Sequence, residues 1–172
     1  MHNKGRKALT LFDDYYEMIS DRVRMDAYRR AIFETVKKGD IVIDMGAGLG
    51  ILTFFALQAG ASKVYAIEMR DSIHLAKRIA EKNGYSSKIV FLNKNSKNVT
   101  LLEKADVLIS ETLGSFAIEE NTIEYTIDAR ERLLKEGGRM IPEKLKMFLA
   151  PVEVPFIREK MERWKDVYGV DF

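Results

Sequence analysis

The chain has 172 residues, of which 47% are hydrophobic and 31% charged, with a formal net charge of +2. That length supports one domain with a self-sustaining core, and that balance excludes a disordered chain and a globally basic nucleic-acid binder. Zero cysteines remove a disulfide framework, a thiolate zinc site and a cysteine nucleophile together, and are expected of an intracellular, cytoplasmic protein.

No apolar run approaches the roughly 20 residues of a membrane span, and no apolar segment follows the basic start Lys4, Arg6 and Lys7, so no membrane partner is expected. Residues 11–36 carry a helical stripe through Val23, Ala27, Ala31 and Thr35, with Tyr28 and Ile32 beside it, and predict one helix. Strands at 41–45, 63–68, 88–92 and 105–110 then alternate with helices at about 50–59 and 72–83. A helix over about 119–134 ends at Glu136-Gly137-Gly138, strands follow near 139–141 and 145–150, and a short helix closes the chain near 156–165.

Such alternation needs crossovers, and so predicts an α/β fold: a mainly parallel twisted sheet with helices on both faces. The whole of 1–172 reads as one domain: an N-terminal helical segment (1–38) covering the ligand site, a Rossmann-like core (39–142) and a C-terminal strand and helix (143–172). Ligands of these sheets bind at the carboxyl ends of the strands, where Asp44, Glu68 and the residues after Ile109 all fall. A strand near Lys144 to Val152 would leave an uncovered edge favouring a homodimer or a partner subunit.

The most informative stretch is Ile41-Val42-Ile43-Asp44-Met45 followed by Gly46-Ala47-Gly48-Leu49-Gly50. Glycine allows a sharp turn and close approach of backbone to ligand, and a strand feeding that turn into a helix is a nucleotide-type cofactor site. Asp44, at the strand's carboxyl end, repels a diphosphate but attracts a cation. The dinucleotide fingerprint would also need glycine where Ile51 stands. S-Adenosylmethionine, with a sulfonium and an α-ammonium and no phosphate, suits the acid better than a nicotinamide or flavin cofactor. Glu68, eighteen residues beyond Gly50 and followed by Met69, is placed to accept from ribose hydroxyls.

After strand 105–110 comes Ser110-Glu111-Thr112-Leu113-Gly114, with Glu119-Glu120 beyond. Here the chain resembles the core of the protein arginine methyltransferases, class I S-adenosylmethionine-dependent enzymes whose double-glutamate loop matches Glu111 and Glu120. The resemblance runs from about Phe12 to Phe172 and includes Asp21-x-x-Arg24-x-x-x-Tyr28, Asp44 with its glycine loop, Glu68, and Trp164-x-x-x-Tyr168-Gly169. It implies Glu111 and Glu120 as catalytic acids, Arg24 on the cofactor carboxylate, and S-adenosylhomocysteine as product.

The implied chemistry is physically sensible. A guanidinium brought within 4 Å of a sulfonium meets a repulsion of about 4 kcal/mol at an effective dielectric of 20. Two carboxylates offset it, fork onto the guanidinium nitrogens and align one lone pair with the methyl carbon. Two departures stand out. The segment between the first aromatic pair and Met18-Ile19 is shorter than in the family, and Asn95-Ser96 stands where an acid commonly meets adenine. Family members also continue into a β-barrel, so a chain ending at Phe172 is expected to be a fragment or a short relative completed by another molecule.

His2 and His74 suggest no ligand, and no His, Asp and Glu cluster has metal spacing. The leading expectation is methyl transfer to a nucleophilic nitrogen, with protein arginine as acceptor. An RNA methyltransferase is one alternative, although Ser110-Glu111-Thr112-Leu113 lacks the Pro-Pro-aromatic motif of base-amino methylases. A non-catalytic S-adenosylmethionine-binding adaptor is another.

Overall fold

A run of β-branched residues bounded by turns makes a strand buried on both faces, and Ile41-Val42-Ile43-Asp44-Met45 occupies the middle of the sheet for that reason. The computed structural model describes residues 13–114, 116 and 121–171. The strands β1 (Ile41–Met45), β2 (Lys63–Ile67), β3 (Ile89–Leu92), β4 (Ala105–Ser110) and β5 (Leu134–Ile141) lie in the order β3-β2-β1-β4-β5. All four pairings are parallel, with Asp44 level with Ala66 on one side and Ile109 on the other. Described helices are α1 (13–20), α2 (Arg22–Thr35), α3 (Ile51–Ala59), α4 (Ser72–Lys82), α5 (Thr122–Leu133) and α6 (Pro155–Trp164).

Alternate strand residues point to opposite faces, and two apolar clusters result. Val42, Val64, Ala66, Val107 and Ile109 pack with Ile32 of α2, Leu52 and Ala56 of α3 and Ile73 of α4. Ile43, Tyr65, Ile67 and Leu108 pack with Ala129 and Leu133 of α5. The sheet is thus covered on both faces, as its apolar strands require. Chain order reverses between β1 and β4, which opens a crevice at their carboxyl ends.

Several sequence expectations need correction. Asp21 interrupts the predicted single helix: its backbone leaves helical geometry and its carboxylate caps α2 by accepting from the Arg24 amide at 3.1 Å. The buried face of α2 runs through Ile32, with Val36 just beyond the helix, whereas Val23 is 85% exposed. Glu136-Gly137-Gly138 does not cap a helix. It lies inside β5, which begins at Leu134 directly after α5, and the register there jumps from Ala105↔Leu134 to Val107↔Arg139. Gly137 has φ +69°, and a Cβ on Gly138 would stand 2.4 Å from Leu134 Cγ, so the glycines serve a bulge.

The strand predicted near 145–150 is absent. Residues 143–154 have no regular structure, and the described sheet ends at β5 and β3 rather than at a strand from Lys144 to Val152. Consecutive apolar residues there, Met147, Phe148 and Leu149, pair with no strand among the described residues and are exposed. Among the described residues no helix is long and apolar enough to cross a membrane, and no group of His, Cys, Asp and Glu could hold a metal.

Candidate active site

The crevice between β1 and β4 opens into a cavity of about 750 Å³. Its floor is the glycine loop after β1, its sides are the turns after β2, β3 and β4, and α1 closes over it with Tyr15, Met18 and Ile19. The shorter N-terminal segment therefore still supplies a cover. Tyr15 donates to Ser72 Oγ at 3.0 Å, and its ring lies so near the loop that a Cβ on Gly48 would stand 2.8 Å from it.

Gly46, Gly48 and Gly50 all have positive φ, a conformation that glycine adopts without steric cost. The resulting loop spends four of its amides inside the protein. Gly46 and Ala47 donate to the Ile67 carbonyl at 2.9 and 3.0 Å, Gly50 to the Ala47 carbonyl at 2.7 Å, and Gly48 to Glu68 Oε2 at 3.0 Å. A phosphate cradle needs such N–H groups turned toward the anion; here four of them are engaged. Glu68 accepts a second bond, from the Arg70 amide to Oε1 at 2.8 Å, so each oxygen is fixed by one backbone donor and keeps one lone pair for a ligand hydroxyl.

Asp44 is 1% exposed, and its Oδ2 accepts from Thr53 Oγ1 at 2.7 Å. Its Oδ1 is buried without a hydrogen-bond partner among the described residues. Burial pushes the carboxyl up to about 6, against the Thr53 hydrogen bonds and aided by the Glu68 charge. An orphaned oxygen of a buried acid on a cavity wall is a site for a cation or donor. Arg24 Nη1 stands 3.6 Å from Glu111 Oε1 and its Nε 3.4 Å from Asp21 Oδ2, so one guanidinium faces both the acid of the β4 turn and the acid that caps α2. Tyr28 donates to the Ser110 carbonyl at 3.0 Å; burial, then the Glu111 charge, raise its hydroxyl well above the ordinary value, which keeps it a neutral donor.

Arg24, Asp44, Gly46, Ala47, Gly48, Glu68, Met69, Asn95, Ser96 and Glu111 all line this one cavity. Gly50 does not: it is the left-handed residue that opens α3, where an added Cβ would meet Phe54 and Ala76 at 3.5 and 3.6 Å. Glu120 lies outside the described residues. Sequence reading passed over Thr112, whose methyl approaches so closely that a Cβ on Gly46 would meet it at 2.5 Å, and Tyr125 of α5, whose hydroxyl accepts from Asn95 Nδ2 at 2.9 Å. Tyr125 carries no local signal, because a tyrosine on an amphipathic helix reads as packing.

A family model described as ribosomal protein L11 methyltransferase (PrmA) matches residues 27–143. The chain belongs to that methyltransferase family. Its core is protein arginine methyltransferase-like. It is 38% identical over 158 residues to probable protein arginine N-methyltransferase 6 of Arabidopsis thaliana, covering 90% of this chain and 36% of that protein. Protein arginine N-methyltransferase 1 of Saccharomyces cerevisiae is 39% identical over 160 residues, 91% of this chain and 46% of that one. Among solved structures, the Trypanosoma brucei PRMT1 enzyme–prozyme heterotetrameric complex with AdoHcy superposes with a TM-score of 0.81 at 29% identity, over 92% of this chain and 51% of that chain. The chain therefore spans less than half the length of the curated relatives it matches.

Proposed function

We propose that the cavity binds S-adenosylmethionine and that the chain transfers its methyl group to a nucleophilic nitrogen, with a protein arginine side chain as acceptor. The observation that carries the cofactor is the glycine loop: four of its amides are engaged internally while a buried aspartate oxygen beside it has no partner among the described residues, an arrangement hostile to phosphate and hospitable to a cation. Glu68 would hold the ribose hydroxyls, Asn95 and Ser96 the base, and Arg24 the carboxylate, with Met69 and the Gly46-Ala47-Gly48 backbone against the adenosyl group. S-Adenosylmethionine supplies an electrophilic methyl on a sulfonium.

The chain's own contribution is then electrostatic and positional. Glu111 would hold the incoming guanidinium with Glu120 as the second acid, and Arg24 would set the Glu111 carboxylate. Tyr28, donating to the Ser110 carbonyl, fixes the end of β4 from which Glu111 projects. Similarity to named arginine methyltransferases over nine-tenths of this chain supports the acceptor. The exposed apolar side chains of 145–170 support association with a second copy or a partner subunit. The absence of cysteine supports a cytoplasmic location.

Incubating the chain with methyl-labelled S-adenosylmethionine, in parallel with arginine-rich protein and total RNA, tests the reading. Label on arginine is the expected result. Label in RNA alone overturns the acceptor, and binding of S-adenosylhomocysteine without transfer to either pool points to an adaptor.

A further inference from the structure

The cofactor reading leaves unexplained how Asn95 and Ser96, in a short turn between β3 and β4, are held for a base. The turn is a single tight one: the Asn98 amide donates to the Asn95 carbonyl and the Val99 amide to the Ser96 carbonyl, at 2.9 and 3.1 Å. Asn95 Oδ1 also accepts from the Lys97 amide at 3.0 Å, and the turn's other side-chain bonds among the described residues come from one stripe of α5. Arg132 forks onto Asp128, with Nε to Oδ1 at 3.2 Å and Nη2 to Oδ2 at 2.7 Å. The same guanidinium donates from Nη2 to the Ser96 carbonyl at 2.8 Å and from Nη1 to the Val99 carbonyl. One turn toward the N-terminus, Tyr125 accepts from Asn95 and Glu124 pairs with Lys97. Positions 124, 125, 128 and 132 share a helix face. At its start α5 also touches the other side of the cavity, where Thr122 donates to the Thr112 carbonyl.

We propose that Arg132, pre-set by Asp128, is a positioning residue that holds the 95–99 turn in its base-receiving shape and so determines affinity for the adenine of the cofactor. The proposal rests on the cofactor reading above. A planar guanidinium is required, because only its fixed fork serves a carboxylate and two carbonyls at once. Strong pairing of the two partners agrees with this, since the Arg132 hydrogen bond holds the Asp128 carboxyl below its ordinary range.

The test compares S-adenosylhomocysteine with S-ribosylhomocysteine, which lacks the base, on the intact chain and on R132Q, R132K and the exchanged pair Asp128→Arg with Arg132→Asp. R132Q is expected to weaken S-adenosylhomocysteine about tenfold or more while leaving S-ribosylhomocysteine nearly unchanged, and R132K to recover little. Amide exchange should quicken at Asn98 and Val99 and stay constant in β1 and β4. The exchanged pair keeps an ion pair on the helix but cannot place the fork on the turn, so it should not restore affinity. Equal loss of both ligands, unchanged S-adenosylhomocysteine affinity, or recovery by the exchanged pair overturns the proposal. If the unsubstituted chain fails to bind S-adenosylhomocysteine, the cofactor reading falls and the base-side role with it. Unchanged amide exchange in R132Q, by contrast, overturns the clamp alone.

Discussion

The two ends of the parallel sheet treat the same kind of side chain in opposite ways. At the amino ends of the strands, Asp106 accepts from the Ile41 amide at 2.9 Å and from Lys135 at 2.7 Å, and Asp40 pairs with Arg139 at 2.6 Å. Burial works against the Asp106 charge, but the Ile41 amide, Lys135 and Arg139 outweigh it and hold the carboxyl below its usual value. At the carboxyl ends, Asp44 is more deeply buried and has one oxygen unpartnered among the described residues, and its carboxyl rises to about 6. Acids that serve the fold are matched to donors; the acid facing the cavity keeps capacity for something the protein does not supply.

The largest effect that would break or sharpen this contrast is expected at Glu111. Glu111→Gln should lower methyl transfer by about 10³-fold while leaving S-adenosylhomocysteine affinity within a few-fold. Single-turnover label transfer beside calorimetry measures both, and preserved turnover removes Glu111 from the chemistry. Glu68→Ala should weaken S-adenosylhomocysteine by about 100-fold, because it removes a ligand acceptor and also frees the Gly48 and Arg70 amides that shape the wall. Binding within twofold of the unsubstituted chain would mean that the Gly48 contact is merely structural.

Next in size is a pH effect. With its carboxyl near 6, Asp44 is charged at pH 7.5 and mostly neutral at pH 5. Affinity for S-adenosylmethionine should therefore fall by about tenfold over that interval, and the fall should flatten in Asp44→Asn. A slope that persists in the variant assigns the titration to another group.

The smallest effects are on stability, and their signs are opposite. Because the folded Asp44 value lies above the unfolded one, its stabilising share is complete below the unfolded value and lost as pH rises through about 6. Asp106 is the reverse, contributing above its unfolded value and losing that contribution as pH falls toward the lowered folded one. Asp106→Asn should then cost about 1 kcal/mol at pH 7.5, whereas Asp44→Asn should cost nothing or stabilise. Urea denaturation decides it, and a larger loss at Asp44 than at Asp106 would dissolve the distinction between the two ends.

Much of the scaffold was readable because it depends on short-range pattern. The β1 run, the glycines after it and the amphipathic stretch of α4 each carry their own period or turn chemistry, and the elements lie within a few residues of where pattern puts them. The same local signals misled where tertiary packing outweighed them. Glu136-Gly137-Gly138 resembles a helix stop, yet the step of β5 beside Ala105 turns it into a bulge. Residues 145–150 have strand composition but, among the described residues, no strand neighbour to bond with. Val23 falls on a plausible stripe, while α2 turns Ile32 to the sheet instead.

What the sequence determined by itself was the type of fold and the identity of the acids at the strand ends, since both follow from alternation and from residues adjacent in the chain. Tertiary structure alone decided what those acids do. Glu68 binding the Gly48 amide 20 residues away, Tyr28 reaching the Ser110 carbonyl 82 residues away and Arg132 clamping Ser96 36 residues away depend on strand register and helix docking. So does the orphaned oxygen of Asp44, because only the full packing around a side chain shows which of its bonds the protein makes and which it leaves open.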